Sequence, residues 1–228
     1  MLDAGTRTTV TGIQSQSHAD RVYDWWSQHP GLFDLFAGAA FFGRYRALRE
    51  TAVDRLELAP GDRVLDLACG TGPNVPMLVD RTGDEGTVLG LDHSRGMVAA
   101  ARDRGHEQDH APVRVARADA GSLPLPDDAM DAALCTLSLS AIPDHLAAIQ
   151  ELRRVVRPGG RVVVLDAQPY QSGPMRLFNP LVNYVSAVAT NWYPDRHLPT
   201  DLRAAFGADR VDVDLYNGGT AFVATAEL

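Results

Sequence analysis

The 228-residue sequence contains no lysine, and all 21 of its basic residues are arginine. This absence excludes Schiff-base chemistry and the lysine of a phosphate-binding P-loop. Cysteine is scarce too: Cys69 and Cys135 form neither a disulfide framework nor a metal-type spacing, so we interpret both as small apolar residues. No apolar run approaches the ~20 residues of a membrane span. We therefore expect no metal site and no membrane-spanning segment.

Positive charge is in deficit, because 29 acidic residues leave a net charge of −8. Phosphate contacts need a basic stripe, so nucleic acid is not expected as a partner. The first 17 residues are polar and lack the apolar centre of a signal peptide. We expect residues 1–17 to be flexible or disordered. We also expect a cytoplasmic protein with a small-molecule substrate, and leave peripheral membrane contact open.

Strand-like and helix-like segments alternate from about residue 62 onward, which is typical of βαβ units around a parallel sheet. Continuous apolar runs such as residues 162–165 favour strands covered by helices on both faces. Near the C-terminus, Asn217-Gly218-Gly219 separates two strand-like runs and predicts a hairpin. The sequence therefore predicts an α/β fold with a mostly parallel, seven-stranded sheet and a C-terminal antiparallel edge hairpin.

The segment Arg63–Gly72 combines an apolar strand-like run with a glycine turn, and a helix-compatible segment follows. Gly70 and Gly72 allow a tight turn and close approach of a ligand to the backbone. A dinucleotide fingerprint needs a third glycine where Val75 stands. Asp66 ahead of the turn would repel a pyrophosphate and suit a ligand with an amino group or a sulfonium. Alternatively, Asp66 accepts main-chain N–H bonds within the loop.

Acidic residues also stand at the ends of the next two predicted strands. Asp92 is placed to accept hydrogen bonds from the two hydroxyls of a ribose, or alternatively to cap a helix that begins near Ser94. Asp119 follows the third strand, within reach of an adenine amino group, and Ala120 offers a backbone N–H there. A plain loop acid is the alternative for Asp119. Together with the glycine turn, these residues predict a site for a nucleoside-type ligand.

From roughly residue 20 to the C-terminus, the sequence resembles the class I S-adenosylmethionine-dependent methyltransferases. The matching motifs are Val64–Gly72, Asp92, Ala118-Asp119-Ala120 with the Leu-Pro-x-Pro-Asp segment that follows, and Leu152–Gly160. Within that family, Tyr23-Asp24 and the C-terminal Asn-Gly-Gly-Thr-Ala resemble the ubiquinone and menaquinone C-methyltransferase branch. The segment 166–169 lacks the full set of that branch's signatures, and residues 169–199 match nothing we can assign. The identity of the substrate therefore does not carry over.

The resemblance implies a Rossmann-like, doubly wound fold in a single domain over 18–228, with N-terminal helices (18–58) and a helical lid insertion (169–199). It implies that the glycine loop holds the methionine part of S-adenosylmethionine, with Asp66 near the ammonium group, and that Asp92 holds the ribose. Met97 and Asp119 would flank and bond the adenine. The residues expected to bind the cofactor are Tyr23, Asp66, Ala68, Cys69, Gly70, Gly72, Asp92, His93, Met97, Asp119, Ala120, Leu137 and Ser138.

Two aromatic-rich tracts, 18–45 and 178–193, are expected either to cover the site as a lid or to pack in the core. Tyr23 either closes over the cofactor or packs between helices. No histidine stands out as a general base, so Tyr23 and His197 are the candidate catalytic residues. We predict in-line methyl transfer to a small, apolar or aromatic acceptor of quinone or phenol type. The alternatives are an amine or amine-bearing lipid acceptor, an NAD(P)-dependent oxidoreductase and a non-catalytic cofactor-binding module.

Overall fold

The computed structural model describes residues 16–41, 43–108, 112–171 and 173–228. The strands are β1 (Arg63–Leu67), β2 (Thr87–Asp92), β3 (Val113–Arg117), β4 (Met130–Thr136), β5 (Val156–Ala167), β6 (Val211–Tyr216) and β7 (Ala221–Glu227). The α-helices are α1 (Gln16–Ser27), α2 (Pro30–Ala40), α3 (Tyr45–Asp54), α4 (Val75–Thr82), α5 (Arg95–His106), α6 (His145–Val155), α7 (Asn179–Thr190) and α8 (Leu198–Phe206). Short 3-10 turns occupy Pro174–Phe178, Ala208–Arg210 and Asn217–Gly219.

The seven strands form one sheet in the order β3-β2-β1-β4-β5-β7-β6. Strands β1 to β5 pair in parallel, and β7 pairs antiparallel with both β5 and β6. The chain winds from β1 outward to β3, then returns to the other side of β1 at β4. This reversal makes β1 and β4 the switch point, where a crevice opens beyond the carboxyl ends of the strands. The predicted α/β, doubly wound fold is confirmed.

Apolar layers cover both faces of the sheet because side chains alternate along each strand. Leu65 and Leu67 of β1 belong to the layer that contains the buried side chains of α6 and α8. Val64 belongs to the layer that contains those of α3 and α4. The same alternation continues on β5, where Val162 and Val164 join the first layer. Burial on both faces explains the continuous apolar runs in the sequence.

The C-terminal hairpin closes through three consecutive residues in the left-handed region. Asn217, Gly218 and Gly219 have φ angles of 51°, 67° and 88°. This geometry suits asparagine and glycine, which tolerate a positive φ better than other residues. The hairpin inserts β7 beside β5 and leaves β6 at the edge.

Helix α1 contacts α7 through side chains that bind backbone carbonyl oxygens in the last turn of α7. Tyr23 and Trp26 of α1 donate hydrogen bonds to the carbonyl oxygens of Thr190 and Ala189, at 2.9 and 2.7 Å. His18 Nε2 lies 3.3 Å from the carbonyl oxygen of Ala187. The carbonyl of Ala187 also accepts from the N–H of Asn191, but the final carbonyls at Ala189 and Thr190 have no partner within the helix, so α1 satisfies groups that α7 leaves open.

Of the segment 1–17 that we expected to be flexible, residues 1–15 lie outside the described part of the chain, and residues 16 and 17 begin α1. Within the described ranges, no helix is long and apolar enough to cross a membrane. The cytoplasmic location and the single domain over 18–228 stay predictions.

Candidate active site

A cavity of about 630 Å³ lies at the carboxyl ends of the parallel strands, at the switch point between β1 and β4. Eleven of the thirteen residues expected to bind the cofactor line this cavity. They are Tyr23, Ala68, Cys69, Gly70, Asp92, His93, Met97, Asp119, Ala120, Leu137 and Ser138. The structure therefore brings together residues that are spread over more than 110 positions of sequence.

The glycine turn presents its backbone to the cavity. Ala68, Gly70 and Gly72 all adopt left-handed φ angles, of 52°, 58° and 75°. At Gly70 no heavy atom lies within 4 Å of the position that a Cβ would take, so there is room for a ligand. Gly72 does not line the cavity: a Cβ there would lie 3.2 Å from Val75 and 3.4 Å from Ala101. Gly72 therefore permits close packing between the turn, α4 and α5.

Asp92 at the end of β2 connects two loops of the site. Its Oδ2 accepts a hydrogen bond from the N–H of Gly70 at 2.9 Å, and its Oδ1 accepts one from the N–H of Ser94 at 2.8 Å. Ser94, rather than Asp92, caps α5, since its Oγ accepts from the N–H of Met97 at 3.3 Å. Burial raises the pKa of Asp92, and the two backbone donors oppose this shift. Each carboxylate oxygen has a second lone pair that a ligand hydroxyl could use.

The wall beyond Asp92 combines an apolar surface with an exposed carboxylate. Met97 is buried and lines this wall. Asp119 lines it too and is exposed, and its Oδ1 accepts a hydrogen bond from the N–H of Gly121 at 2.9 Å. His93 and Ala120 complete the wall. An apolar face beside hydrogen-bonding groups at its rim suits a flat heteroaromatic base.

The exit of β4 forms the middle of the cavity floor, because β4 lies between β1 and β5 in the sheet. Leu137 has a left-handed φ of 57°. Ser138 Oγ donates to the carbonyl oxygen of Thr136 at 2.8 Å and lies 3.3 Å from that of Ala68. Left-handed residues other than glycine cost roughly 1–3 kcal/mol each, and they cluster at functional sites. Both Ala68 and Leu137 carry this strain at the cavity.

The structure does not place Asp66 on the cavity wall, contrary to the expectation that it approaches the ligand's ammonium group. Along β1 its side chain points opposite to Leu65 and Leu67, toward the face covered by α3 and α4. There it is fully buried, and its two oxygens accept from Asn74 Nδ2 at 3.0 and 3.2 Å. Burial raises its pKa to about 7, against the effects of the Asn74 hydrogen bond and the charge of Arg49.

Arg49 of α3 is a cavity residue that the sequence patterns did not reveal. It is 5% exposed, and its Nη1 donates to Asn74 Oδ1 at 2.8 Å and to Thr136 Oγ1 at 2.6 Å. Its Nη2 donates to the hydroxyl of Tyr45 at 2.7 Å. Its Nε has no hydrogen-bond partner among the described residues. Only the packing of α3 against the sheet brings this cation to the cavity, so no local pattern marks it.

The other half of the cavity is formed by α2, α7 and the ends of β4 and β5, and most of its side chains are apolar. Its apolar lining includes Phe36, Ala40, Leu181, Val182, Val185 and Trp192. Leu181 and Val185 are also exposed to solvent, so α7 stands at the mouth of the cavity. The aromatic-rich tracts therefore supply part of the cavity wall as well as core residues such as Trp26.

Asp166 is the penultimate residue of β5 and lies in this apolar half; in the sequence it belongs to the segment 166–169, which lacks the full set of signatures of the quinone branch. It is 1% exposed. Its Oδ1 accepts from Ser140 Oγ at 2.6 Å and from the N–H of Ala167 at 2.7 Å, and its Oδ2 accepts from the N–H of Ser140 at 2.9 Å. Burial raises the pKa of Asp166, and these hydrogen bonds oppose the shift.

Of the two candidate catalytic residues, only Tyr23 reaches the cavity. Burial, and then the charges of Asp92 and Asp166, raise its pKa well above the usual value, so the phenol stays protonated and serves as a hydrogen-bond donor. His197 is exposed and lies outside the lining of the cavity. The guanidinium of Arg196 binds carbonyl oxygens of the loop after β4, and His197 follows it at the start of α8.

Known proteins are similar to this chain in sequence and in fold. Residues 65–164 match the methyltransferase domain family. The chain is 36% identical over 160 residues to the 2-phytyl-1,4-naphtoquinone methyltransferase of Synechococcus elongatus, covering 70% of this chain and 69% of the relative. It is 28% identical over 225 residues to the demethylmenaquinone methyltransferase of Alkalihalophilus pseudofirmus, covering 91% and 95%.

A solved structure shares the fold at low identity. The geranyl diphosphate C-methyltransferase of Streptomyces coelicolor, in complex with Mg²⁺, geranyl diphosphate and S-adenosyl-L-homocysteine, matches with a TM-score of 0.63 and 20% identity. The match covers 79% of this chain and 78% of that one. At this identity the match supports the fold alone.

A glycine turn and a strand-end acid beside a switch-point cavity define a Rossmann-like protein that binds a nucleoside cofactor. With these relatives, the chain belongs to the class I S-adenosylmethionine-dependent methyltransferases, in the branch of the quinone methyltransferases. The predicted family, cofactor and reaction class are confirmed, and the oxidoreductase alternative is set aside.

Proposed function

We propose that this methyltransferase acts on a small acceptor of quinone or phenol type, held in the apolar half of the cavity. The observation that carries the proposal is the apolar lining from α2 and α7 beside the exits of β4 and β5. Burial of a ring and its substituents against such a lining is favourable by roughly 25 cal/mol for each Å² removed from water. The names of the two relatives, which refer to naphthoquinone and menaquinone compounds, support the same acceptor class.

The other half of the cavity suits S-adenosylmethionine. The open backbone at Gly70 leaves room for the ligand, and the unused lone pairs of Asp92 suit the two ribose hydroxyls. The Nε of Arg49, which has no hydrogen-bond partner in the described part of the chain, suits the carboxylate of the methionine part, since a buried donor gains most from a charged acceptor. Met97, Asp119 and Ala120 would then hold the adenine. These roles are part of the proposal.

When bound, S-adenosylmethionine supplies an electrophilic methyl group attached to a positively charged sulfur. The chain's contribution is alignment of the acceptor and exclusion of water. The exits of β1 and β4 carry the strained residues Ala68 and Leu137, whose geometry fixes the floor on which the two ligands meet. The hydrogen bond from Tyr23 to Thr190 keeps α1 and α7 together over that floor.

An amine-bearing acceptor is the second candidate, because Asp144 and Asp166 also line the cavity. Asp144 caps α6 through a hydrogen bond from the N–H of Ala147, and Asp166 already receives three donors. Asp144 is exposed at the start of α6, and Asp166 has at most one lone-pair position left, so the two carboxylates do not surround an ammonium group with several acceptors. This arrangement, together with the apolar lining, favours the quinone or phenol type.

The test is methyl transfer from isotopically labelled S-adenosylmethionine to three acceptors, with product analysis by mass spectrometry. The acceptors are a demethylated naphthoquinol with a short isoprenoid chain, a simple phenol and a long-chain amine. We expect product from the naphthoquinol and a slower reaction with the phenol. Product from the amine alone would reject the proposal in favour of the second candidate.

A binding experiment tests the assigned cofactor half separately. Calorimetry should detect S-adenosylmethionine and its demethylated product, and should detect no binding of NAD. Binding of NAD at the same site, with competition against S-adenosylmethionine, would contradict the proposed roles of Gly70 and Asp92.

A further inference from the structure

We propose that Asp166 accepts the hydroxyl proton of the acceptor and that Ser140 orients its carboxylate for this step. The inference rests on the proposed quinone- or phenol-type acceptor, in its hydroxylated form. It assigns a general base to a cavity that His197 does not line and in which the phenol of Tyr23 stays protonated.

The position of Asp166 suits a group that meets the acceptor. It is the penultimate residue of β5, the neighbour of β4 on the side away from β1, and it lines the apolar half of the cavity together with Ser140. The residues that suit the cofactor lie on the opposite side, at the exits of β1, β2 and β3. A hydroxyl on a ring bound among the apolar side chains therefore has Asp166 as its buried carboxylate neighbour.

The carboxylate is held in one orientation but keeps capacity for one more donor. Three donors reach it: Ser140 Oγ and the N–H of Ala167 at Oδ1, and the N–H of Ser140 at Oδ2. An ionised carboxylate offers about four lone-pair positions. Among the described residues Oδ2 receives a single donor, so one position on Oδ2 remains for an acceptor hydroxyl.

Among the described residues, no cation forms an ion pair with Asp166. Arg196 lies near enough to oppose the rise of its pKa, but the guanidinium donates to the carbonyl oxygens of Leu139 and Pro143. Tyr23 from α1 and Cys135 from β4 face the same region, and burial raises the pKa of both, so neither contributes a charge. Burial also raises the pKa of Asp166 toward that of a phenol, which strengthens it as a base.

Methyl transfer to the hydroxylated acceptor releases one proton overall. The hydroxyl proton moves to Asp166 Oδ2, and the acceptor's electron pair forms a bond to the methyl carbon as the carbon–sulfur bond breaks. The electron pair of the broken bond stays on sulfur, which becomes neutral. For transfer to ring carbon, the proton on that carbon moves to the ring oxygen and restores the hydroxyl, so the proton held by Asp166 is the one lost overall. Asp166 releases its proton to solvent when the product leaves.

The first test needs no cofactor and uses 4-nitrophenol, whose ionised form absorbs visible light. The probe is bound to the protein at a pH just below its own pKa in water. Wild type should show a larger ionised fraction of bound probe than of free probe, because Asp166 takes the proton. Asp166→Asn should abolish this excess. Asp131→Asn is the matched control, since Asp131 is a well-shielded carboxylate that pairs with Arg157 outside the cavity.

An unchanged ionised fraction in Asp166→Asn, or no excess in wild type, overturns the inference. If Asp166→Asn does not fold, Ser140→Ala is measured in the same way and should reduce the excess. An unaffected excess in Ser140→Ala would then count against the orienting role and the proposal.

The second test is the pH profile of kcat/KM with the naphthoquinol acceptor. Wild type should lose activity on the acid side as Asp166 becomes protonated, and Asp166→Asn should lower kcat by about 10²- to 10⁴-fold without that acid limb. Ser140→Ala should lower kcat by roughly tenfold and shift the limb, with little change in KM. If Asp166→Asn transfers the methyl group to the naphthoquinol as fast as wild type, the role of Asp166 as the base is rejected and the proposed function is not. If wild type transfers the methyl group to none of the hydroxylated acceptors, the proposed function is rejected instead.

Discussion

At the scale of single residues, Arg49 joins three elements beneath the cavity. Its guanidinium reaches Asn74 at the start of α4, Thr136 at the end of β4 and Tyr45 of its own helix. It also lies 4.5 Å from the centre of the Tyr45 ring. Asn74 in turn donates to Asp66, so one network of side chains links a buried cation to a buried carboxylate. Such a network is stable only while every member keeps its partners.

Arg49→Lys keeps the charge but loses the planar fork that reaches three partners. We expect the free energy of unfolding to fall by about 2–4 kcal/mol, because Asn74 and Thr136 lose a charged donor while buried. We also expect weaker binding of S-adenosylmethionine. Urea unfolding and calorimetry measure the two effects. The control is Arg46→Lys on the same helix, where the side chain is 87% exposed; equal effects in both variants would contradict the role of Arg49.

Asp92→Asn tests the proposed ribose contact. An amide offers one accepting oxygen where the carboxylate offers two, and Gly70 and Ser94 already occupy both. We expect the Kd for S-adenosylmethionine to rise by roughly 10- to 100-fold, the equivalent of one hydrogen bond to a charged group. Asp80→Asn, at an exposed position of α4, is the control. An unchanged Kd in calorimetry would show that Asp92 organises the loops without touching the ligand.

At the scale of elements, α7 depends on α1 for the partners of its last carbonyls. Tyr23→Phe removes one such partner without changing the packing volume. We expect a loss of about 1 kcal/mol, which corresponds to a fall in Tm of roughly 2–4 °C for a domain of this size. Tyr184→Phe on the exposed surface of α7 should leave Tm unchanged. Equal shifts in both variants would argue against the contact between the helices.

The exposed and cavity-lining surface of α7 should contribute to acceptor binding more than to stability. Leu181 is 63% exposed and lines the cavity, whereas Leu215 of β6 is 60% exposed and does not. We expect Leu181→Ser to weaken binding of the naphthoquinol, raising its Kd several-fold, and Leu215→Ser to have no effect. Both variants should keep the Tm of wild type. Similar Kd values for the two variants would exclude α7 from the acceptor site.

At the scale of the whole molecule, buried carboxylates make stability depend on pH. Burial raises the pKa of Asp66 to about 7, and it also raises the pKa values of Asp92 and Asp166. Asp131 differs: burial opposes the shift, but hydrogen bonds from Arg157 and Arg63 outweigh it and lower its pKa to about 2. The two groups therefore act in different pH windows.

A raised pKa means that the folded state holds more protons than the unfolded chain between the two values. The contribution of Asp66 to the free energy of unfolding is therefore fully present below its ordinary pKa of 3.8 and is lost as the pH rises to about 7. The loss amounts to about 4 kcal/mol. The contribution of Asp131 is present above 3.8 and is lost as the pH falls toward 2. We therefore expect the free energy of unfolding to peak on the acid side of neutrality.

Urea unfolding at about pH 4.5 and about pH 7.5 measures this difference. Wild type should be more stable at the lower pH, and Asp66→Asn should reduce the difference, because its side chain does not titrate. An equal difference in wild type and Asp66→Asn would contradict the raised pKa of Asp66.

Much of the architecture could be predicted from local patterns. Apolar runs and their glycine and acid boundaries marked each of the seven strands, and Asn217–Gly219 marked the hairpin. The same patterns placed Asp92 and Asp119 at strand ends, where parallel strands bring them to one edge. The strand containing Asp66 was also predicted, but the direction of its side chain was not. Asp66 lies within the strand, where alternation of side chains turns it to the α3 and α4 face, away from the cavity.

The sequence by itself determined the order of elements, the glycine turn and the strand-end acids, because these follow from periodicity, backbone freedom and the direction of parallel strands. Only the tertiary structure decided which distant side chains share the cavity. Arg49 on an amphipathic helix and Asp166 near the end of an apolar strand lie in no local sequence pattern that indicates their role. The packing of α3 and of the loop after β4 against the sheet brings these two side chains to the cavity. Such long-range contacts leave no fixed spacing in the chain.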